Sequence, residues 1–144
     1  MTGTSRLLTG VLIAAAVVAG GCTGAGRDTA GGRTPAQLAV DRQDAEGNCP
    51  RRPDYQFWTD GCSMFPDGGW QQCCVDHDKV YWCGGTADTR EKADAALRAC
   101  VVKTSSPLLG ALMYRGVRLG GVPWLPVPWR WGYGWRYPRP YDAP

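Results

Sequence analysis

The sequence predicts a small all-α domain that is held together by disulfide bonds and followed by an irregular tail. Six cysteines stand at positions 49, 62, 73, 74, 83 and 100. An even number of cysteines in a short exported segment is typical of a disulfide framework, here of up to three bridges. Two helix patterns lie among these cysteines, and prolines at 123, 126, 128, 138 and 140 exclude regular structure near the end. We expect two antiparallel helices to carry the functional residues.

Residues 1–21 have the layout of a secretory signal. A basic start at Arg6 precedes a mainly apolar run over 7–19, which is too short to span a bilayer comfortably. The ending Val-Ala-Gly-Gly-Cys resembles a bacterial lipobox, in which Cys22 becomes the acylated first residue. The alternative is ordinary signal cleavage, which leaves Cys22 as an unpaired thiol. We therefore expect an exported protein that is either lipid-anchored at the cell membrane or secreted.

Residues 22–48 are rich in Gly, Ala, Thr and charge, which predicts a flexible tether between the anchor and a domain over 49–121. From residue 101 onward there are six Lys or Arg and one acidic residue, so the C-terminal third carries the positive charge. Nucleic acid is excluded as the partner of an exported protein, whereas a phospholipid membrane surface or another anionic envelope polymer fits this charge. Nothing in the sequence indicates a protein partner.

The helix patterns place the reactive side chains on defined faces. Residues 70–83 predict a helix that Gly84 and Gly85 end, and Cys73, His77 and Tyr81 share one of its faces at steps of four. Asp78 belongs to the neighbouring row. The other predicted segments are a disulfide-pinned loop over 49–70, a second helix over 90–103 with caps at 86–88, a third helix over 108–119, and the irregular tail over 122–144.

His77 is the only histidine of the chain. A general base that works near neutral pH would therefore have His77 as its leading candidate. One alternative is that His77 and Asp78 are structural helix residues. Another is a zinc site made by Cys73, Cys74 and His77, which requires reduced thiols.

The pattern Cys-Cys-x-x-His-Asp-x-x-Tyr at 73–81, followed by Asp-x-Ala-x-x-x-Cys at 94–100, resembles the two-helix catalytic core of secreted phospholipases A2. The resemblance covers about residues 61–100 and suggests a divergent, bacterial member. It implies that His77 activates water, Asp78 binds calcium, Asp94 orients His77, and Tyr81 supports Asp94.

The resemblance also implies two disulfides, Cys73–Cys100 and Cys62–Cys74, and then leaves Cys49 to pair with Cys83. Given the first bridge, His77 and Asp94 lie roughly 6 and 9 Å along their helices from it, so they reach similar heights. A further bridge of the family falls on Val80 and Ala93, where an apolar contact would replace it.

The calcium loop that the resemblance implies is short, because only ten residues separate Cys62 from Cys73. Gly61 and Ser63 offer carbonyl oxygens, and Asp67 offers a carboxylate. The expected function is calcium-dependent hydrolysis of phospholipid esters. The alternative is a catalytically silent lipoprotein that binds lipid or cell envelope.

The aromatic and basic tail has three interpretations. Its Trp, Tyr and Arg residues are typical of an interfacial belt that docks on lipid. They equally fit rings that cover a small core. Stacking on carbohydrate or peptidoglycan is a third interpretation.

Overall fold

A computed structural model describes residues 32–125, 133–134 and 141–142. These residues form helices joined by loops, without a β-strand, and three disulfides crosslink them. The predicted class, a small all-α domain stapled by disulfides, is confirmed. The helices are α1 (Pro35–Asn48), α2 (Gln71–Cys83), α3 (Ala87–Thr104) and α4 (Pro107–Gly120).

The predicted tether is wrong over its last 14 residues, which form α1. Thr34 caps this helix: its hydroxyl accepts a hydrogen bond from the backbone N–H of Gln37, and the Gln37 side chain accepts one from the N–H of Thr34. Such a capping box satisfies backbone donors that the first helical turn leaves free. The only buried residues of α1 are Asp41 and Ala45, so no apolar stripe marks the helix in the sequence.

Three disulfides crosslink the described chain, and each joins a pair that the sequence analysis named. They are Cys73–Cys100, Cys62–Cys74 and Cys49–Cys83. The sulfur atoms of Cys73 and Cys74 are therefore bonded to other sulfurs and are not available as zinc ligands. The zinc alternative is wrong for this reason.

Helices α2 and α3 run antiparallel. Cys73 lies near the start of α2 and Cys100 near the end of α3, so their bridge aligns opposite ends of the two helices. Only residues 84–86 separate the helices. Helix α3, the second helix of the sequence prediction, starts at Ala87 instead of residue 90. Thr86 caps it, because its hydroxyl accepts a hydrogen bond from the N–H of Thr89.

The core lies between α2, α3 and α4. Its largest cluster combines three half-cystines with aliphatic and thioether side chains, namely Cys62, Cys73, Cys74, Leu97, Val101 and Met113. A second cluster contains Val80 and Ala93 beside the ring of Tyr81. These two positions, where secreted phospholipases A2 usually carry a further bridge, therefore lie in one apolar cluster in this protein.

Helix α4 begins at Pro107, directly after the cap residue Ser106. Proline suits this first helical position, where its missing N–H has no intrahelical partner. Gly110 allows α4 to approach α3 closely: a Cβ there would lie 2.7 Å from Cγ2 of Val102 and 3.0 Å from the carbonyl oxygen of Arg98.

Described parts of the tail return to the helices. The N–H of Tyr133 donates to the carbonyl of Gly121, and the N–H of Gly134 donates to the carbonyl of Tyr81 at 2.7 Å. Tyr133 is 2% exposed. For this residue the geometry favours the interpretation of a ring that covers the core.

The signal segment, Cys22, the start of the tether and most of the aromatic tail lie outside the described residues. Within the described part, no helix combines the length and the apolar character that crossing a membrane requires.

Candidate active site

His77 and Asp94 meet across the α2–α3 interface. Nε2 of His77 lies 2.8 Å from Oδ1 of Asp94. Asp94 is fully buried and His77 is 7% exposed, so the pair is screened little by water. An ionised carboxylate only accepts hydrogen bonds, hence Nε2 carries the proton and Nδ1 keeps the lone pair. Nδ1 of His77 therefore has the free lone pair that a base requires.

Tyr81 supports the same carboxylate oxygen. Its hydroxyl donates to Oδ1 of Asp94 at 2.6 Å, and its ring lies 4.0 Å from the His77 ring between centroids. Gly121 makes room for Tyr81, because a Cβ at this glycine would lie 2.6 Å from Cε1 of the ring. The structure thus brings the three predicted residues His77, Asp94 and Tyr81 into one network.

Two arginines that the sequence analysis did not single out complete the surroundings of Asp94. Nη1 of Arg118 donates to Oδ2 of Asp94 at 2.8 Å, and Nε of Arg90 lies 3.8 Å from the same oxygen. Arg90 stands four residues before Asp94 on α3, a spacing that predicts an ion pair on one helix face. No local spacing indicates Arg118, because it comes from α4.

The protonation states of the pair follow from burial and hydrogen bonding. Burial disfavours the imidazolium and lowers the pKa of His77, and the hydrogen bond to Asp94 opposes this shift without cancelling it. Burial also works against ionised Asp94, but hydrogen bonds from His77, Tyr81 and Arg118 outweigh it and lower the pKa of Asp94. A neutral imidazole beside an ionised carboxylate is the resulting state near neutral pH.

Asp78 lies next to His77 but faces the loop that precedes α2. The hydroxyl of Thr59 donates to its Oδ2 at 2.6 Å. Burial raises the pKa of Asp78 well above its ordinary value, and the negative charges of Asp60 and Asp67 add to the rise, while the hydrogen bond from Thr59 opposes it. A buried carboxylate with acidic neighbours favours a cation, which would replace the proton.

Residues that share a cavity with Asp78 offer oxygen atoms, the ligand type that a hard cation such as calcium takes. Gly61 and Ser63 line the same cavity as Asp78. Gly61 has φ +78°, and a Cβ there would lie 2.6 Å from Oδ1 of Asp67, so this turn requires glycine. Among the described residues, no three His, Cys, Asp or Glu side chains converge on one point. A calcium ion here would take the Asp78 carboxylate together with loop carbonyls such as those of Gly61 and Ser63, as oxygen ligation of this ion allows.

His77 and Asp78 line a cavity of about 350 Å³. The rest of the lining is mostly apolar and comes from the loop and α4, with further residues of α2 and α3. The apolar and small residues include Met64, Phe65, Leu97, Leu112, Met113, Gly116, Val117 and Gly120. A cavity of this volume is in the range that binds small ligands, and a mostly apolar lining with a few polar side chains suits an amphipathic molecule.

The structure therefore places His77, Tyr81, Asp78, Gly61 and Ser63 on one cavity, with Asp94 directly behind the imidazole. The carboxylate of Asp67 is already engaged within this loop, because its Oδ1 accepts a hydrogen bond from the N–H of Cys62 at 2.9 Å. The lipidation residue Cys22 lies outside the described residues.

The likeness to secreted phospholipases A2 depends on the motif residues between 61 and 100. No protein-family model matches the chain, and no curated protein or solved structure shows significant similarity to it.

Proposed function

We propose that this protein hydrolyses phospholipid esters in a calcium-dependent reaction of the phospholipase A2 type. The contact between Nε2 of His77 and the buried carboxylate of Asp94 is the observation that carries the proposal. It supports a base role because the ring has a defined tautomer, a lowered pKa and a position on the cavity wall.

In the proposed reaction Nδ1 of His77 accepts a proton from a water molecule while the water oxygen bonds to the ester carbonyl carbon. The imidazolium that forms is stabilised by the carboxylate of Asp94, which keeps its own charge. The imidazolium then gives the proton to the departing alcohol oxygen as the carbon–oxygen ester bond breaks. Tyr81 holds Asp94 in place during both steps.

Calcium, when bound at Asp78 and the loop carbonyls, would supply Lewis-acid stabilisation for the phosphate and for the charge that develops on the carbonyl oxygen. Asp78 would contribute the ionised oxygen ligand, and the hydrogen bond from Thr59 holds its carboxylate in place.

The cavity supports a lipid as substrate. Leu97, Met113 and Val117 offer an apolar wall for an acyl chain, and the ester would lie at the His77 end. Attack at the second glycerol position is what the resemblance implies. The lipid-anchored location and the phospholipid membrane as partner belong to the same proposal.

The decisive assay measures fatty acid release from mixed phospholipid vesicles with calcium and with a chelator. We expect the oxidised protein to release fatty acid only when calcium is present. In His77→Gln the rate of release should fall about 10²- to 10⁴-fold, which is typical of a lost general base. Asp78→Asn should lose the activity. Asp76→Asn is the matched control, because Asp76 lies on the same helix with an exposed side chain.

Two outcomes would redirect the proposal. Vesicle binding without any hydrolysis would favour the alternative of a catalytically silent lipid- or envelope-binding module. Full activity in Asp78→Asn would show that the metal assignment is wrong.

A further inference from the structure

We infer that Arg118 is a positioning residue that fixes the tautomer of His77 through Asp94. The kinetic consequence of this inference rests on the proposed function, whereas the tautomer itself does not.

Asp94 needs support on both of its oxygens. The terminal torsion of an aspartate is intrinsically broad, so a carboxylate held at one oxygen only keeps freedom to rotate. Oδ1 already accepts from His77 and Tyr81, at 2.8 and 2.6 Å. Nη1 of Arg118 holds Oδ2 at 2.8 Å with a charge-assisted bond, which is the stronger kind. The carboxylate plane is thus fixed relative to the imidazole.

Arg90 cannot replace Arg118 in this role. Its Nε is 3.8 Å from Oδ2 of Asp94, beyond hydrogen-bond distance, and donates to the hydroxyl of Tyr81 at 3.1 Å instead. Its Nη2 donates to the carbonyl oxygens of Val117 and Arg118, each at 2.8 Å. Arg90 therefore anchors the last turn of α4, and this turn delivers the Arg118 guanidinium to Asp94.

This arrangement links the base to the cavity wall. Val117 lines the cavity, and the next residue, Arg118, contacts Asp94. The turn of α4 that borders the ligand space is consequently the same turn that sets the orientation of the carboxylate behind His77.

The single histidine of the chain makes the inference directly measurable. Protein labelled with ¹⁵N-histidine gives the signals of one ring, whose nitrogen shifts distinguish the two neutral tautomers. At a pH well above the ordinary histidine pKa, we expect the Nε2–H tautomer in the wild type. In Arg118→Met we expect the Nδ1–H tautomer to appear in at least about a tenth of the molecules, and kcat to fall about 10- to 100-fold with KM little changed, as small misplacements of a catalytic group produce.

Two variants serve as controls. Arg118→Lys keeps the charge at Oδ2 and should return the tautomer and most of kcat. Arg115→Met removes an exposed arginine from the same helix and should behave as the wild type. The Arg118 side chain is 33% exposed, so we expect Arg118→Met to fold. If Arg118→Met does not fold, the tautomer is measured in Arg118→Gln, which has a shorter neutral side chain. We expect the same tautomer shift in that variant.

A folded Arg118→Met and Arg118→Gln that both keep the wild-type tautomer would overturn the inference, whatever their activity. A tautomer shift in a protein that hydrolyses no lipid would leave the positioning role in place and remove the proposed function instead.

Discussion

The hydroxyl of Thr59 donates a hydrogen bond of 2.6 Å to Oδ2 of Asp78 and accepts one of 3.0 Å from the N–H of Gly61. Thr59 is fully buried, so both bonds form away from water. One side chain therefore ties the loop that offers carbonyl oxygens to the helix that offers the carboxylate.

Replacing Thr59 by valine should weaken calcium binding about 10- to 100-fold, the usual effect of losing a partner that orients a metal ligand. Valine has nearly the same shape but cannot donate to Asp78. Isothermal titration of the oxidised protein with calcium measures the affinity. Thr59→Ser keeps the hydroxyl and should stay within a few-fold of the wild type. Equal affinities for the valine and serine variants would show that Thr59 does not orient the ligand.

Much of the site could be predicted from the sequence because it depends on helical spacing. Steps of four placed Cys73, His77 and Tyr81 on one face, and the implied bridge to Cys100 set the register that brings Asp94 to the imidazole. The first relation follows from the constant rise and pitch of an α-helix, and the second also needs the bridge that only the resemblance implied.

The contacts that the sequence did not predict depend on how helices cross. Arg118 and Asp94 are 24 residues apart and come from different helices, so no periodic pattern relates them.

Helix α1 was not predicted for another reason: it is held by its capping box and by the Cys49–Cys83 bridge, while it buries only Asp41 and Ala45. Thr59 lies in an irregular loop, where spacing carries little information.

The pKa of His77 should lie below 6.5, because burial lowers it more than the bond to Asp94 raises it. A base that must be neutral then stays active as the pH falls through the ordinary histidine range, so the acid limb of kcat/KM should have its midpoint below 6.5. The unfolded chain binds the proton more readily than the folded protein, hence this group lowers stability as the pH falls below about 6.5. An NMR titration of the single imidazole measures the pKa, with the reduced, denatured protein as reference. A folded-state pKa above that of the reference would contradict the assignment of a buried, neutral base.

Two glycines of α4 should respond to alanine in opposite directions. At Gly116 a Cβ meets no atom within 4 Å, so alanine should stabilise the helix by about 0.5–1 kcal/mol. At Gly110 the added Cβ would lie 2.7 Å from Cγ2 of Val102 and 3.0 Å from a backbone oxygen, so alanine should cost about 1–3 kcal/mol. Urea unfolding of the oxidised protein gives both values. A loss of stability in Gly116→Ala would mean that the open space beside it is filled.

The same space gives Gly116 a functional test. Gly116 lines the cavity, and a tryptophan at this position would occupy volume that an acyl chain requires. We expect Gly116→Trp to bind a fluorescent fatty acid at least about 10-fold more weakly, which corresponds to about 1.4 kcal/mol. Gly116→Ala, with one small methyl group, should keep most of the binding. Unchanged binding in the tryptophan variant would place the apolar ligand elsewhere on the protein.

Tyr133 connects the described tail to the site, because its ring meets the Tyr81 ring edge-on at 5.2 Å and is 2% exposed. Truncating a buried aromatic ring to alanine typically costs about 3–5 kcal/mol, and we expect a loss of this size in Tyr133→Ala. Leu119→Ala is the control: Leu119 is 76% exposed, so its change should stay within about 0.5 kcal/mol. Thermal unfolding of the oxidised variants compares them. If Tyr133→Ala were as stable as Leu119→Ala, the ring would not be covering the core. Docking on lipid and stacking on carbohydrate would then remain as interpretations of the aromatic tail.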